Sequence, residues 1–187
     1  HTGTVDYLQI QNEFTYNEMS VHSYGKTIGE IMRNANTKMM DLAPTSYYLR
    51  FHAEQSTLHG DPALRADVLA PKPDYAIEDQ YLKINPAFIS VAENRFTVKA
   101  QFFNLAKAVN KNIVVELKRT YPDLTTEVIR RFTVPGTRYI DSISLDIDII
   151  PTRDKGLNKI SVCIDADNAV DELYESNNCV TKEFFIY

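Results

Sequence analysis

The chain is poor in the residues that most often carry chemistry. Its 187 residues include two cysteines, four histidines, six glycines and no tryptophan. Two cysteines are too few for a disulfide framework or a four-cysteine zinc site. The glycines are scattered, so there is no glycine-rich phosphate loop. His1, His22, His52 and His59 all lie early in the chain, and no nucleophile–base pair can be read after them. No apolar run approaches the ~18 residues of a membrane helix, which excludes a helical span. A formal net charge of −5 argues against nucleic acid or an anionic membrane as a partner held by bulk charge. The chain opens His1-Thr2-Gly3, with neither an initiator Met nor a signal-peptide pattern, as expected of a processed chain or a fragment.

What remains is an ordinary globular composition, 44% hydrophobic and 24% charged. Its pattern changes near residue 72. Before that point it is mainly helical. Ile28, Ile31, Met32, Ala35, Met39 and Leu42 share one helical face, with Ser23 as the expected cap and Pro44 as the stop. A second helix is predicted from Thr45 or Ser46 to about Thr57, broken by Gly60-Asp61-Pro62. Val5–Ile10 and Ala63–Leu69 read as short strands. Ala70-Pro71-Lys72-Pro73 reads as a linker, since its two prolines cannot continue a helix or a central strand.

After the linker the period switches to two. Phe96, Val98, Ala100 and Phe102 alternate with polar neighbours, as do Ile113, Val115 and Leu117, then Ile143, Leu145, Ile147 and Ile149. Ile160, Val162 and Ile164 follow, then Val180, Phe184 and Ile186. The prediction is mostly β: an antiparallel Ig-like β-sandwich of about seven strands over 74–187, with no helix between them. Residues 1–69 form a separate part, joined by the linker 70–73.

Charge is uneven within the sandwich. Residues 95–138 hold nine Lys/Arg against three acids, a net of +6, and residues 139–187 hold four against ten, a net of −6. The blocks read either as solvated faces that pair unlike neighbours or as a bipolar docking surface. Within the acidic block, Asp165, Asp167, Asp171 and Glu172 are the candidates for a calcium site, because hard cations take several oxygen ligands from one folded loop. An EF-hand register begun at Asp165 fails, since it requires glycine at Val170 and glutamate at Ser176. The alternative is a strand connection whose Asp and Asn side chains bond nearby backbone.

Cys163 and Cys179 flank this connection and fall on the same outer face of neighbouring strands. A cross-strand disulfide in an oxidising compartment and a pair of free thiols both stay open. A catalytic thiol is disfavoured, because no histidine within the sandwich is placed to activate it. No residue is assigned a catalytic role and no cofactor is implied.

Two stretches resemble known families. Gln55–Leu64, with its Gly-Asp-Pro-Ala-Leu turn, is similar to the closing segment of gingipain-like (C25) cysteine peptidase domains, and Tyr24–Glu30 is similar to the start of that domain's last long helix. Asn158–Asn178, with Val162-Cys163-Ile164-Asp165-Ala166-Asp167-Asn168 and Glu172–Asn178, resembles the CARDB module of bacterial surface proteins. This order is similar to PorU-type sortases of type IX secretion in Bacteroidetes. The resemblance implies that residues 1–69 are the incomplete tail of a caspase-like α/β domain. It implies a secreted, surface or periplasmic protein of a Gram-negative bacterium, and an Ig-like module that braces the peptidase or docks a protein partner. That family's catalytic His-Gly pair and later Cys would lie upstream. His59-Gly60 copies the pair, but it falls in the terminal turn. The competing expectation is a stand-alone adhesion module unconnected with proteolysis.

Overall fold

The computed structural model describes residues 3–42, 46–66 and 69–187. It divides into two compact units, 1–71 and 72–187.

The first unit is helical. Helix α1 spans Gly3–Asn17 and continues into a π-turn over Glu18–His22; α2 spans Ile28–Leu42 and α3 spans Tyr47–Gln55. The strand expected over Val5–Ile10 is therefore a helix. A six-residue window of mixed residues satisfies either period, and it is the continuation that decides. Tyr7, Ile10 and Phe14 recur at helical spacing and pack on the buried Met39, Leu49 and Ala53. Pro44 and Thr45 lie outside the described residues. Of the strand expected over Ala63–Leu69, whose residues 67 and 68 also lie outside, the described part shows one antiparallel bridge, Arg65 to Thr27.

The cap of α2 also differs from expectation. Thr27, not Ser23, begins the helix in a reciprocal capping box. Glu30 N donates to Thr27 Oγ1 at 3.3 Å, and Thr27 N donates to Glu30 Oε2 at 3.1 Å. Ser23 is buried instead, donating to Glu18 Oε2 at 2.5 Å and accepting from Asn34 Nδ2 at 2.9 Å. The Gly60–Leu64 turn closes back on this helix start: Ile28 N and Gly29 N donate to Leu64 O and Pro62 O. Gly29 suits this approach, because a Cβ there would sit 2.8 Å from Pro62 Cβ.

The second unit is an antiparallel sandwich of eight strands. They are β1 (Tyr75–Ala76), β2 (Leu82–Asn85), β3 (Arg95–Asn104), β4 (Asn112–Thr120), β5 (Thr126–Pro135), β6 (Ile140–Asp148), β7 (Gly156–Cys163) and β8 (Cys179–Ile186). One sheet sets β3 between β6 on one side and β1 and β2 on the other; the second runs β5-β4-β7-β8. Phe96, Val98, Ala100 and Phe102 of β3 share one buried core with Ile113, Val115 and Leu117 of β4, Ile160 and Val162 of β7, and Ile186 of β8. The alternation thus puts each apolar set inward. Two short elements depart from the all-strand expectation: Asp79–Tyr81 forms a 3-10 turn between β1 and β2, and Pro151–Asp154 forms a single helical turn, α4, between β6 and β7.

Register interleaves the two charge blocks. Basic β3 pairs with acidic β6, and β4 pairs with β7. Arg95 faces Asp146 and Asp148 across that ladder at 4.0 and 3.9 Å.

Candidate functional site

Besides a buried network around Asp74, Asn104 and Thr137, in which Asn104 accepts from Asp74 N and donates to Thr137 O, the sandwich contains two buried polar centres that are built differently. The first begins on β4. Ile113, Val115 and Leu117 point inward, and the next residue of the same phase is Arg119, which is fully buried. Its Nε and Nη2 donate to Asn158 Oδ1 at 3.1 and 2.8 Å, and its Nη1 lies 3.2 Å from Asp154 Oδ2. The guanidinium sits 5.2 Å from the Phe96 ring centre and 4.7 Å from that of Tyr121. Asp154 also accepts from Arg153 Nε and from Ile150 N, at 2.7 and 2.9 Å. Burial pushes the Asp154 carboxyl up, but the Arg153 hydrogen bond, the Ile150 amide and the Arg119 charge outweigh it and hold the group below its usual range. Charge here is matched by charge.

The second centre lies in the connection from β7 to β8. Cys163 and Cys179 stand directly opposite in register and are joined by a disulfide, with Cα atoms 4.2 Å apart. The bond closes the base of the connection, and neither sulfur is a thiolate. His59 is exposed in the turn of the first unit.

Just past Cys163, Asp165 takes φ +46°. Strand phase would send its side chain outward with Cys163. The left-handed backbone, which aspartate tolerates, ends the strand and coincides with complete burial of Asp165. Its Oδ2 accepts from Val170 N at 2.8 Å, and its Oδ1 has no partner. Glu172 is buried too. Its Oε2 accepts from Tyr75 N at 2.6 Å and its Oε1 from Asn178 Nδ2 at 2.8 Å, so this one carboxylate ties the connection to β1. The Asn178 Oδ1 and the Tyr75 hydroxyl are buried without partners.

Among the described residues, neither Asp165 nor Glu172 meets a lysine, arginine or histidine. Burial and the neighbouring charges of Glu175 and Asp165 outweigh the two donors, and the Glu172 carboxyl is pushed up to about 7. Burial, with Glu172 and Asp165 nearby, pushes the Tyr75 hydroxyl up to about 12. Two of the four calcium candidates therefore face the interior and two do not. Asp167 pairs with Arg131, and Asp171 with Lys72 at 2.7 Å, both at the surface. No cluster of three or more His, Cys, Asp or Glu side chains suited to a metal occurs among the described residues.

No motif marks Asp154 in the sequence, whereas the β4 phase marks Arg119 as an inward cation. Tyr75 carries no such signal, and Asn178 stands out only as the last residue of the CARDB-like stretch.

Residues 89–182 match the CARDB family model. The chain belongs to the CARDB family. Its sandwich is similar to the CARDB domain of a Pyrococcus furiosus protein whose structure is a complex with di-metal ions. That pair is 20% identical over 65% of this chain and 95% of the other, with a TM-score of 0.52. A domain of a Methanosarcina acetivorans protein, named for the cell surface, is 19% identical over 62% of this chain and 93% of its own, with a TM-score of 0.40. At 20% identity the likeness to the Pyrococcus domain shows the fold alone, and the metal ions are those of the Pyrococcus protein. No curated protein matches the chain. No helix among the described residues is long and apolar enough to cross a membrane.

Proposed function

We propose that this chain is the non-catalytic, CARDB-bearing part of an exported protein and acts by protein contact, bracing a neighbouring domain or docking a partner at the cell surface. The Cys163–Cys179 disulfide carries this reading. A cross-strand bond between the only two cysteines suits an oxidising compartment, and it leaves no thiol for catalysis. The test is alkylation of the native protein in its source cells with a large maleimide, followed by electrophoresis. Expected is no modification until a reductant is added. Rapid modification without reductant would show free thiols and overturn the export reading.

A finer reading makes the parent a gingipain-like C25 cysteine peptidase of the PorU type, from a Bacteroidetes type IX secretion system, with residues 1–69 as the tail of its caspase-like domain. One observation favours it. The two segments that resemble that domain, Tyr24–Glu30 and Gln55–Leu64, meet through the hydrogen bonds from Ile28 and Gly29 to Leu64 and Pro62. Sequencing the parent gene upstream of His1 decides between the readings. A His-Gly pair followed some tens of residues later by Cys supports the peptidase. Its absence leaves the stand-alone adhesion module.

A further inference from the structure

The strongest unexplained feature is the second polar centre. Asp165 and Glu172 are both buried, and the charge of Asp165 reaches Glu172. A buried carboxylate without a cation is costly, and two within electrostatic reach are costlier. At the opposite centre the same problem is solved with two arginines. Here hydrogen bonds are supplied, but no positive charge is.

The unused hydrogen-bonding capacity is specific. The Asp165 Oδ1 has no partner, although the residue is fully buried. Asn178 is 96% buried (relative exposure 4%) and lies against Glu172, to which its Nδ2 donates, yet its Oδ1 has no partner. Each Glu172 oxygen accepts one hydrogen bond, and a carboxylate oxygen has two acceptor positions. Chain geometry holds these residues together. Ile164 N donates to Asn178 O at 2.8 Å, and the Cys163–Cys179 disulfide fixes the adjoining residues. The oxygens left open are carboxylate and amide oxygens and the Tyr75 hydroxyl, with no nitrogen or sulfur among them. That is a hard-cation set. Calcium fits it better than magnesium, because magnesium keeps several waters in strict octahedral geometry and a closed interior does not suit that shell.

We propose that Asp165, Glu172 and Asn178 form the protein side of a calcium site buried beneath the β7–β8 connection. The site excludes Asp167 and Asp171, which are turned outward to Arg131 and Lys72. Calcium neutralises the two interior carboxylates and ties the connection to β1 through Glu172. The proposal goes beyond the export reading and does not depend on it.

The test uses the whole chain, disulfide intact, stripped with a chelator. Calcium is titrated by calorimetry and by thermal unfolding, and terbium is used as a luminescent calcium mimic excited through tyrosine. With 11 tyrosines and no tryptophan, the excitation is unambiguous. Expected are a single equivalent of calcium, an unfolding temperature that rises with calcium, and terbium emission that calcium displaces. Asp165→Asn and Glu172→Gln should each weaken binding by about ten-fold or more. The double variant Asp167→Asn/Asp171→Asn should leave it unchanged. Should Asp165→Asn fail to fold, the near-isosteric Glu172→Gln carries the comparison, with its fold checked by circular dichroism. Absence of both heat and a thermal shift would overturn the proposal. So would binding lost in the surface double variant and kept in Glu172→Gln.

Discussion

Two buried acidic centres of the sandwich, around Asp154 and around Glu172, pose the same electrostatic problem and meet it in opposite ways. Asp154 and Glu172 are both buried carboxylates at connections, and each ties a connection to a strand. Asp154 is met by Arg119 and Arg153 and is held below its usual range. Glu172 is met by a backbone amide and an asparagine, with Asp165 in reach, and is pushed up to about 7. Hydrogen bonds alone satisfy the lone pairs of a carboxylate without offsetting its charge. The first centre is a structural lock whose charges are matched within the chain. The second is complete only with something added, a proton or a cation.

The sharpest way to break this comparison is to remove the compensation from the first centre. Arg119→Met leaves Asp154 buried beside Arg153 alone and strips the donors from Asn158 Oδ1. Losing one partner of a buried pair costs about 3–5 kcal/mol. Urea unfolding should show that loss, and Asp154→Asn combined with Arg119→Met should recover part of it. A loss under ~1 kcal/mol for the single variant would mean that the pair contributes no more than a surface bridge.

Next in size is the disulfide beneath the second centre. It closes a loop spanning 16 residues of sequence separation, for which chain entropy predicts about 3 kcal/mol. Cys163→Ser/Cys179→Ser should lower the urea midpoint accordingly. Amide exchange should rise first in 164–178, around Asp165 and Glu172, while the Arg119 centre keeps its protection.

How much of this contrast could be read in the sequence follows from where each residue sits. The sandwich is legible because β3, β4, β6, β7 and β8 repeat one buried face at period two. The same period marks Arg119, which continues Ile113, Val115 and Leu117. Its partner Asp154 is not legible, since it lies 35 positions on in a turn with no period. β1 has two residues and β2 four, too few for any pattern to show. In the first unit, Thr27-x-x-Glu30 was a readable capping box, but Ser23 also suits a cap, and only the burial of Ser23 decides between them. Within the acidic stretch, composition gathers Asp165, Asp167, Asp171 and Glu172, but it cannot sort inner from outer. The positive φ at Asp165 does that, and alternation extended from β7 would have placed that residue outside.

A smaller effect, but one of opposite sign at the two centres, should appear with pH in metal-free buffer. The Glu172 carboxyl is raised in the folded chain. Its contribution is fully present below its unfolded value, near 4.5, and is lost as pH rises through about 7. The Asp154 carboxyl is lowered. Its contribution is present above its unfolded value, near 3.8, and is lost as pH falls toward the folded one. Urea midpoints measured from about pH 3 to about pH 9 should therefore fall on both sides of a maximum. Glu172→Gln should flatten the alkaline side alone and Asp154→Asn the acid side alone. If Glu172→Gln leaves the slope between about pH 6 and pH 8 unchanged, the Glu172 carboxyl is already compensated in the chain, and the contrast between the centres fails.

The smallest expected effect isolates burial as the cause of all the others. Asp171 belongs to the same acidic stretch as Glu172 and has its own partner, Lys72, at 2.7 Å, but its side chain is 79% exposed. Water already solvates both members of that pair, so removing one leaves no stranded charge. Asp171→Asn should change stability by no more than about 0.5 kcal/mol. Glu172→Gln, one position along the chain, should alter the alkaline limb. Two adjacent acids with such different outcomes would show that enclosure by the connection, and not the local density of negative charge, creates the need for compensation. An Asp171→Asn effect as large as that of Glu172→Gln would return the explanation to the charge of the stretch as a whole.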